Sequence, residues 1–499
     1  IQHGHANKMI SDKAYLHLSL SFLLLLSGCG HLPEISDRRS SEHYADTKGT
    51  ALGRAFQARR EAHPGESGFL LLGSGLDAFV ARAMLARAAE RSIDAQYYLL
   101  HDDLTGTLFI DELIKAADRG VRVRLLVDDM DLEGRDIGAA ALDMHENIEV
   151  RIFNPFGRNS GRLLQLATRF GKVTRRMHNK SFTADGQATV LGGRNIGDEY
   201  FEANPALAFG DLDVLGIGPI ARKVSESFDA YWNHALAYPA SALAGQAPDE
   251  QTVARLRARH DAFVAAQTDS DYLQALRNSS LSRQLQEGNI RLVWGKAEVV
   301  ADAPEKLLAE RDRSELHLSS LLAPYFRGLE RELIIFSPYF VPGKEGVEFF
   351  GNLVKKGVHV RIVTNSLSST DVPVVHAGYA RHRRNLLRAG VELYEMNRQI
   401  ATEQRGGMRT FTGSSKASLH AKSFVIDRDT VFIGSLNLDP RSIQLNTEMG
   451  MIVASPALAE EVAAIAERDM APANSWRPPC VGMASRERSA KTHNSDRQP

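Results

Sequence analysis

The chain carries the same chemistry-bearing pattern twice: His178, Lys180 and Asp185, then His420, Lys422 and Asp427, with identical spacing. Each copy is followed at one further spacing by a small-residue turn ending in an amide, Gly192-Gly193-Arg194-Asn195 and Gly434-Ser435-Leu436-Asn437. A neutral imidazole is a competent nucleophile toward phosphorus, and a protonated one is an acid for an alkoxide leaving group, so paired histidines can divide the two roles near neutral pH. A phosphohistidine intermediate follows. Lys180 and Lys422 would hold the non-bridging oxygens by charge, and Asn195 and Asn437 by hydrogen bonds, through a five-coordinate phosphorus. This chemistry calls for no metal and no cofactor.

Those side chains must be aimed. Histidine and lysine two apart share one face of a strand, and Phe182 and Phe424, just beyond, read as residues that fix the strand in a core. Turn residues follow Asp185 and Asp427, so a strand-to-turn cap is the favoured role for these two members of the motif. Upstream of the first copy the pattern predicts a helix around 78–86, a strand over 92–98, a helix through 113–118 stopped by Gly120, a strand over 121–127 and another over 148–153. The order returns with a strand at 332–339, a helix through 353–356, Gly357, and strands over 358–363 and 391–394. Even Arg119-Gly120-Val121-Arg122 has its echo in Lys356-Gly357-Val358-His359. The expectation is an α/β protein made by internal duplication, with two similar domains, each a mixed, largely parallel sheet flanked by helices, and one active site at their interface. The expected domains span 68–240 and 291–470, joined by a helical linker over 241–290 and followed by a polar tail over 471–499.

The 60 basic against 61 acidic residues give a net charge of -1, which supplies no field for a polyanion and ranks nucleic acid low among partners. Cys29 and Cys480 alone exclude a disulfide framework and a cysteine-based zinc cluster. Met9, Lys13, the apolar run from Leu16 to Leu26 and then Ser27-Gly28-Cys29 read as an export signal. The run is short for a membrane span, and its end resembles the lipobox of bacterial lipoproteins. That resemblance implies acylation of Cys29 after removal of 1–28, a tether over 29–67, and a place in the bacterial cell envelope, anchored to a membrane and facing the periplasm.

The doubled motif resembles that of the phospholipase D superfamily, and residues 68–470 resemble a bacterial cardiolipin synthase of the C-type. Supporting stretches are Ile196-Gly197-Asp198-Glu199-Tyr200-Phe201, Ser337-Pro338-Tyr339-Phe340, Val374-Val375-His376-Ala377-Gly378-Tyr379 and Asn446-Thr447-Glu448-Met449-Gly450. The resemblance implies a phosphatidyltransferase acting on phospholipids at a membrane surface, phosphatidylglycerol as acceptor and phosphatidylethanolamine as donor. It also implies His178 as nucleophile oriented by Asp211, and His420 as acid and base oriented by Glu448. Ser435 keeps the usual serine of the turn, which implies a hydroxyl contact to phosphate, whereas Gly193 departs from it, so backbone amides are expected to serve there. His376 and Tyr379 read as headgroup contacts or as a packed helix face. Arg158, Arg162, Arg169, Lys172, Arg175 and Arg176 read as a stripe against an anionic bilayer or as a solvated helix. The competing readings are a hydrolase yielding phosphatidic acid, a nuclease, and a noncatalytic lipid-binding protein; intact His, Lys and Asn in both halves argue against the last.

Overall fold

In the computed structural model, residues 32–479 are described, apart from 34, 36–38, 159–160, 163–164, 166–169, 205, 311 and 398–415. Cys29 and Arg169 lie outside the described residues.

Each half starts from a strand, helix, strand unit. In the first, β1 (Ser67–Leu72) leads through a helix (Gly75–Ala88) to β2 (Ser92–Tyr97), buried along its whole length. The helix Leu104–Asp118 then starts at Asp103, whose carboxylate accepts from the Gly106 N–H, and stops at Gly120, whose φ of 90° suits a residue without a Cβ. It returns the chain to β3 (Arg122–Asp128), and a further helix (Asp136–Asp143) to β4 (Ile148–Phe153). Strands β2, β3 and β4 are parallel, as the helical crossovers between them allow. The motif hairpin β5 (Ser181–Ala184) and β6 (Ala188–Gly192) is antiparallel and lies against β2. After β7 (Leu207–Gly210), β8 (Asp213–Ile217) joins β6 to β1, and β9 (Ala237–Pro239) closes the outer edge.

Helices Glu250–Ala266, Asp271–Arg277 and Ser280–Gln286 follow, each begun by a side-chain cap from Asp249, Ser270 or Ser279. The second half then repeats the plan with β10 (Val293–Ala301), β11 (Glu332–Phe336), β12 (His359–Asn365), β13 (Glu392–Met396), β14 (Lys416–Leu419), β15 (Ser423–Ile426), β16 (Thr430–Gly434), β17 (Met449–Ala454) and β18 (Ser475–Trp476).

Antiparallel pairing of β10 with β1 fuses the halves into one 16-stranded sheet, ordered β18-β13-β12-β11-β15-β16-β17-β10-β1-β8-β6-β5-β2-β3-β4-β9. The order reads alike from both ends, so a pseudo-twofold axis passes between β1 and β10. The sheet is mixed, as expected, but parallel pairing within it is confined to β2-β3-β4 and β11-β12-β13. The two motif hairpins, β5-β6 and β15-β16, need only short turns, and the other antiparallel pairs join strands distant in sequence, such as β2 to β5 and β1 to β8. Leu191 of β6 and Ile433 of β16 share one buried cluster with Phe69 and Met451, which makes the centre of the protein common to both halves.

Candidate active site

The second, two-stranded sheet decides which residues meet. In it β7 of the first half runs parallel to β14 of the second, Gly210 opposite Leu419, and a parallel bridge pairs Met177 with Thr447. The backbone N–H of His178 therefore donates to the Thr447 carbonyl at 2.8 Å, and that of His420 to the Gly210 carbonyl at 2.7 Å. The next residues are Glu448 and Asp211. Nδ1 of His178 lies 2.7 Å from Glu448 Oε2, and Nδ1 of His420 lies 2.5 Å from Asp211 Oδ2.

This corrects the expected pairing of Asp211 with His178 and Glu448 with His420. Each carboxylate orients the histidine of the other half, because the segment before it is paired with the other half's motif strand. With the carboxylate ionised, Nδ1 carries the ring proton and Nε2 keeps its lone pair.

Lys180 Nζ donates to the His178 carbonyl at 2.5 Å, and Lys422 Nζ to the His420 carbonyl at 2.5 Å. All four side chains are buried, as are Asp211 and Glu448. Burial and the charges of Lys180 and Lys422 hold the His178 imidazole well below its usual pKa. Burial and Lys422 also lower His420, but there the Asp211 charge and hydrogen bond oppose them. Burial depresses both lysines, against the pull of Glu448 and Asp211. A desolvated cluster of this kind stabilises an anion placed among it, since a phosphodiester offsets the cost of keeping the ammonium groups charged.

The carboxylates themselves differ. Burial pushes Glu448 up to about 7. Burial would raise Asp211 too, but the charge of His420 and its hydrogen bond hold that carboxyl well below the usual range.

The turn residues make contacts that the pattern did not foretell. Ser435, expected on phosphate, donates its hydroxyl to Glu448 Oε2 at 2.5 Å and accepts from the Met449 N–H. In the other half a Cβ on Gly193 would meet Asp211 Oδ1 at 2.3 Å and Oδ2 at 2.7 Å. Gly193 is thus glycine because the shorter aspartate draws its carboxylate against the turn, whereas the longer Glu448 leaves room for Ser435. Asn195 accepts from the Leu99 N–H at 3.2 Å and donates to the Tyr200 hydroxyl at 2.9 Å, and Asn437 Oδ1 is buried with no hydrogen-bond partner among the described residues.

Asp185 and Asp427 are grouped with the catalytic set by the motif alone. The structure removes them from it and supports the capping role. Asp185 accepts from the N–H groups of Glu90, Arg91 and Ser92 at 3.1, 2.7 and 2.9 Å, and Asp427 from those of Glu330, Arg331 and Glu332 at 3.0, 2.7 and 2.8 Å. Both lie at the far end of their motif strand, with a φ of 52°, and pin its turn to the start of β2 or β11.

Several residues around the site take roles that the sequence did not assign them. Tyr98 stands edge-on to the His178 ring at 4.9 Å, and Phe209 and Tyr200 lie 5.0 and 5.3 Å from that of His420. Asp128 receives both the Arg176 guanidinium at 2.8 Å and the Met177 N–H at 2.9 Å, which fixes the chain entering His178. Asp302, bound to Lys306 at 2.9 Å, accepts from the Glu448 N–H at 2.7 Å. Tyr379 is packed, its hydroxyl donating to Glu395 at 2.9 Å, with His376 edge-on to it. The basic stripe is largely consumed inside the protein. Arg158 pairs with Asp129 and Asp136, Arg162 lies 3.6 Å from Asp129, and Arg176 is fully buried.

Two interlocked His/Lys motifs, one from each half of a duplicated α/β chain, define the class as phospholipase D-like. The family described as cardiolipin synthase, PLD-like domain, matches residues 82–232 and 327–470. The chain belongs to that family and is a phosphatidyltransferase enzyme. It is 44% identical over 398 residues to cardiolipin synthase C of Escherichia coli, covering 80% of this chain and 84% of that one. It is 27% identical over 418 residues to cardiolipin synthase A of Pseudomonas aeruginosa, covering 82% and 68%. Its fold matches the crystal structure of phosphatidylserine synthase from Haemophilus influenzae, with a TM-score of 0.53 at 16% identity over 84% of this chain and 91% of that one.

Proposed function

We propose that the protein makes cardiolipin by two displacements at phosphorus, with phosphatidylglycerol as acceptor and phosphatidylethanolamine as donor. Nε2 of His178 attacks the donor phosphodiester, and the bond from phosphorus to the headgroup oxygen breaks as protonated His420 gives that oxygen its proton. Neutral His420 then takes the proton from a glycerol hydroxyl of phosphatidylglycerol. The hydroxyl oxygen attacks phosphorus, the phosphorus–nitrogen bond breaks, and cardiolipin leaves with His178 neutral and His420 again protonated. Lys180 and Lys422 hold the non-bridging oxygens throughout.

The observation that carries this reading is the unequal pair of crossed contacts. Burial and both lysines keep His178 neutral beside a carboxyl that sits near 7, whereas His420, lowered as well by burial and Lys422, faces an ionised carboxylate that pulls it back toward its imidazolium and so toward the acid's role. The identity to cardiolipin synthase C supports cardiolipin as the product. The lipobox pattern supports an anchor at Cys29 and a periplasmic face; among the described residues no helix is long and apolar enough to cross a membrane. Two or more acyl chains would give stable attachment, and labelled fatty acid should enter the wild type but not Cys29→Ser.

The test is to incubate purified protein with phosphatidylglycerol, with and without phosphatidylethanolamine, and to separate cardiolipin from phosphatidic acid. Cardiolipin should dominate and increase with the donor. Phosphatidic acid dominating at high acceptor concentration would replace the synthase reading with hydrolysis.

A further inference from the structure

The helices Leu318–Arg327 and Gly343–Lys355 leave an open cavity of about 450 Å³ over the motif hairpin of the second half, lined by none of the motif histidines and lysines. That volume is within the range of small-molecule sites, roughly 300–1,000 Å³. Leu322, Phe326, Phe349, Leu353, Phe424 and Leu436 form its walls. A simple defect in the core would be closed, but here Phe349 is 40% exposed and Leu321, on the neighbouring helix, 47%. Such exposure of large apolar side chains beside an apolar cavity marks a surface that meets an apolar partner.

The cavity also has a charged end. Arg327 and Lys356 line it where the chain turns into β11 and β12, and both are exposed. Among the described residues neither has an acidic side chain in ion-pair contact. That end of the sheet is the one away from His420: β15 leaves the motif at Ser423, opposite Phe336, and reaches Ile426 opposite Leu333, where β11 begins. An apolar slot with two uncommitted cations at one end complements an acyl chain joined to a phosphate.

We propose that this cavity binds one acyl chain of an anionic phospholipid, its phosphate against Arg327 and Lys356, at a site separate from the reacting phosphorus. The site would seat the second half on an anionic bilayer and hold the shared cleft at a fixed height above it. It rests on the reading that the enzyme works at a lipid surface. Each methylene buried is worth about fourfold in affinity, and each cation near an anionic surface about fivefold.

The experiment places a fluorescent reporter in the slot of the full chain with Phe349→Trp, or with Asn352→Trp should that variant fail to fold. Reconstituted vesicles carry brominated acyl chains on either phosphatidylglycerol or phosphatidylcholine, and quenching beyond the wild-type background is recorded. Quenching should be stronger with phosphatidylglycerol. Arg327→Gln with Lys356→Gln should weaken that preference roughly thirtyfold, and Ala323→Phe, which fills the slot, should abolish quenching. Quenching absent, equal for the two headgroups, or untouched by Ala323→Phe would overturn the site. Quenching needs no turnover, so a failed pocket with cardiolipin still made refutes this site alone, whereas quenching without any lipid product refutes the catalytic reading.

Discussion

Gly193→Ser should cripple the enzyme, and adding Asp211→Glu should restore it. Gly193 has no positive φ, so space alone decides the outcome. The new Cβ would fall 2.3–2.8 Å from the Asp211 carboxyl group, nearer than real Cβ contacts come. That carboxylate cannot move cheaply, because it is held by His420 Nδ1 at 2.5 Å and by the Leu212 N–H at 2.8 Å. Overpacking a filled site costs about 1–3 kcal/mol, and a charge-assisted hydrogen bond contributes roughly 1.5–3 kcal/mol. If about 2–4 kcal/mol of this falls on the transition state, the rate drops about 30- to 1,000-fold. Glutamate at 211 would move the carboxylate one methylene outward and reproduce the Ser435 and Glu448 arrangement of the other half, in which the hydroxyl donates at 2.5 Å. Steady-state rates of cardiolipin formation for the two single variants and the double should therefore show coupling of at least about 1.5 kcal/mol, within the range for contacting residues. Losses that simply add would refute the argument that carboxylate length selects the turn residue.

Other outcomes follow from the same geometry. His178→Ala and His420→Ala should each lose most of the rate and the double variant little more, since each removes one member of a cooperating unit; multiplicative losses in product assays would contradict this. Glu448, raised to about 7 from an ordinary 4.5, keeps a proton in the folded state that the unfolded chain releases across that window, so its contribution to stability falls as pH rises through it. Glu448→Gln should accordingly gain stability relative to wild type between pH 5 and pH 8, on the order of a few kcal/mol in urea unfolding, and a flat difference would refute the shift. Asp185→Ala removes the acceptor of three buried or half-buried N–H groups and should cost about 2–4 kcal/mol of stability. The fraction that remains folded should keep a near-normal kcat; a folded but inactive variant would return Asp185 to the chemistry.

The repeat was legible because its two copies keep His, Lys, Asp and Asn in step, and the strands at 92–97, 122–128 and 148–153 because apolar and β-branched residues alternate or cluster in short runs there, as in Val123-Arg124-Leu125-Leu126-Val127 and Ile148-Glu149-Val150-Arg151-Ile152. The capping role of Asp185 and Asp427 was legible for a similar reason, since turn residues follow at once. What could not be read was partnership across the halves. Alignment within one half places Asp211 beside its own motif, while the parallel pairing of β7 with β14 is a long-range contact with no local signature. Ser435 misled because a hydroxyl beside a phosphate site and one beside a buried carboxylate look the same in sequence. The basic stripe misled because Asp128, Asp129 and Asp136, which neutralise Arg176 and Arg158, come from a distant segment.

The central claim is that a phosphatidyl group passes through His178 on its way to an alcohol. It is tested most directly by rapid acid-free quenching of the enzyme with donor phospholipid, followed by mass analysis of the peptides containing His178 and His420. The account predicts a phosphatidyl adduct on His178 alone, which added phosphatidylglycerol converts to cardiolipin. An adduct on His420 would reverse the two roles, and turnover to cardiolipin with inversion at phosphorus and no adduct would contradict the covalent mechanism outright.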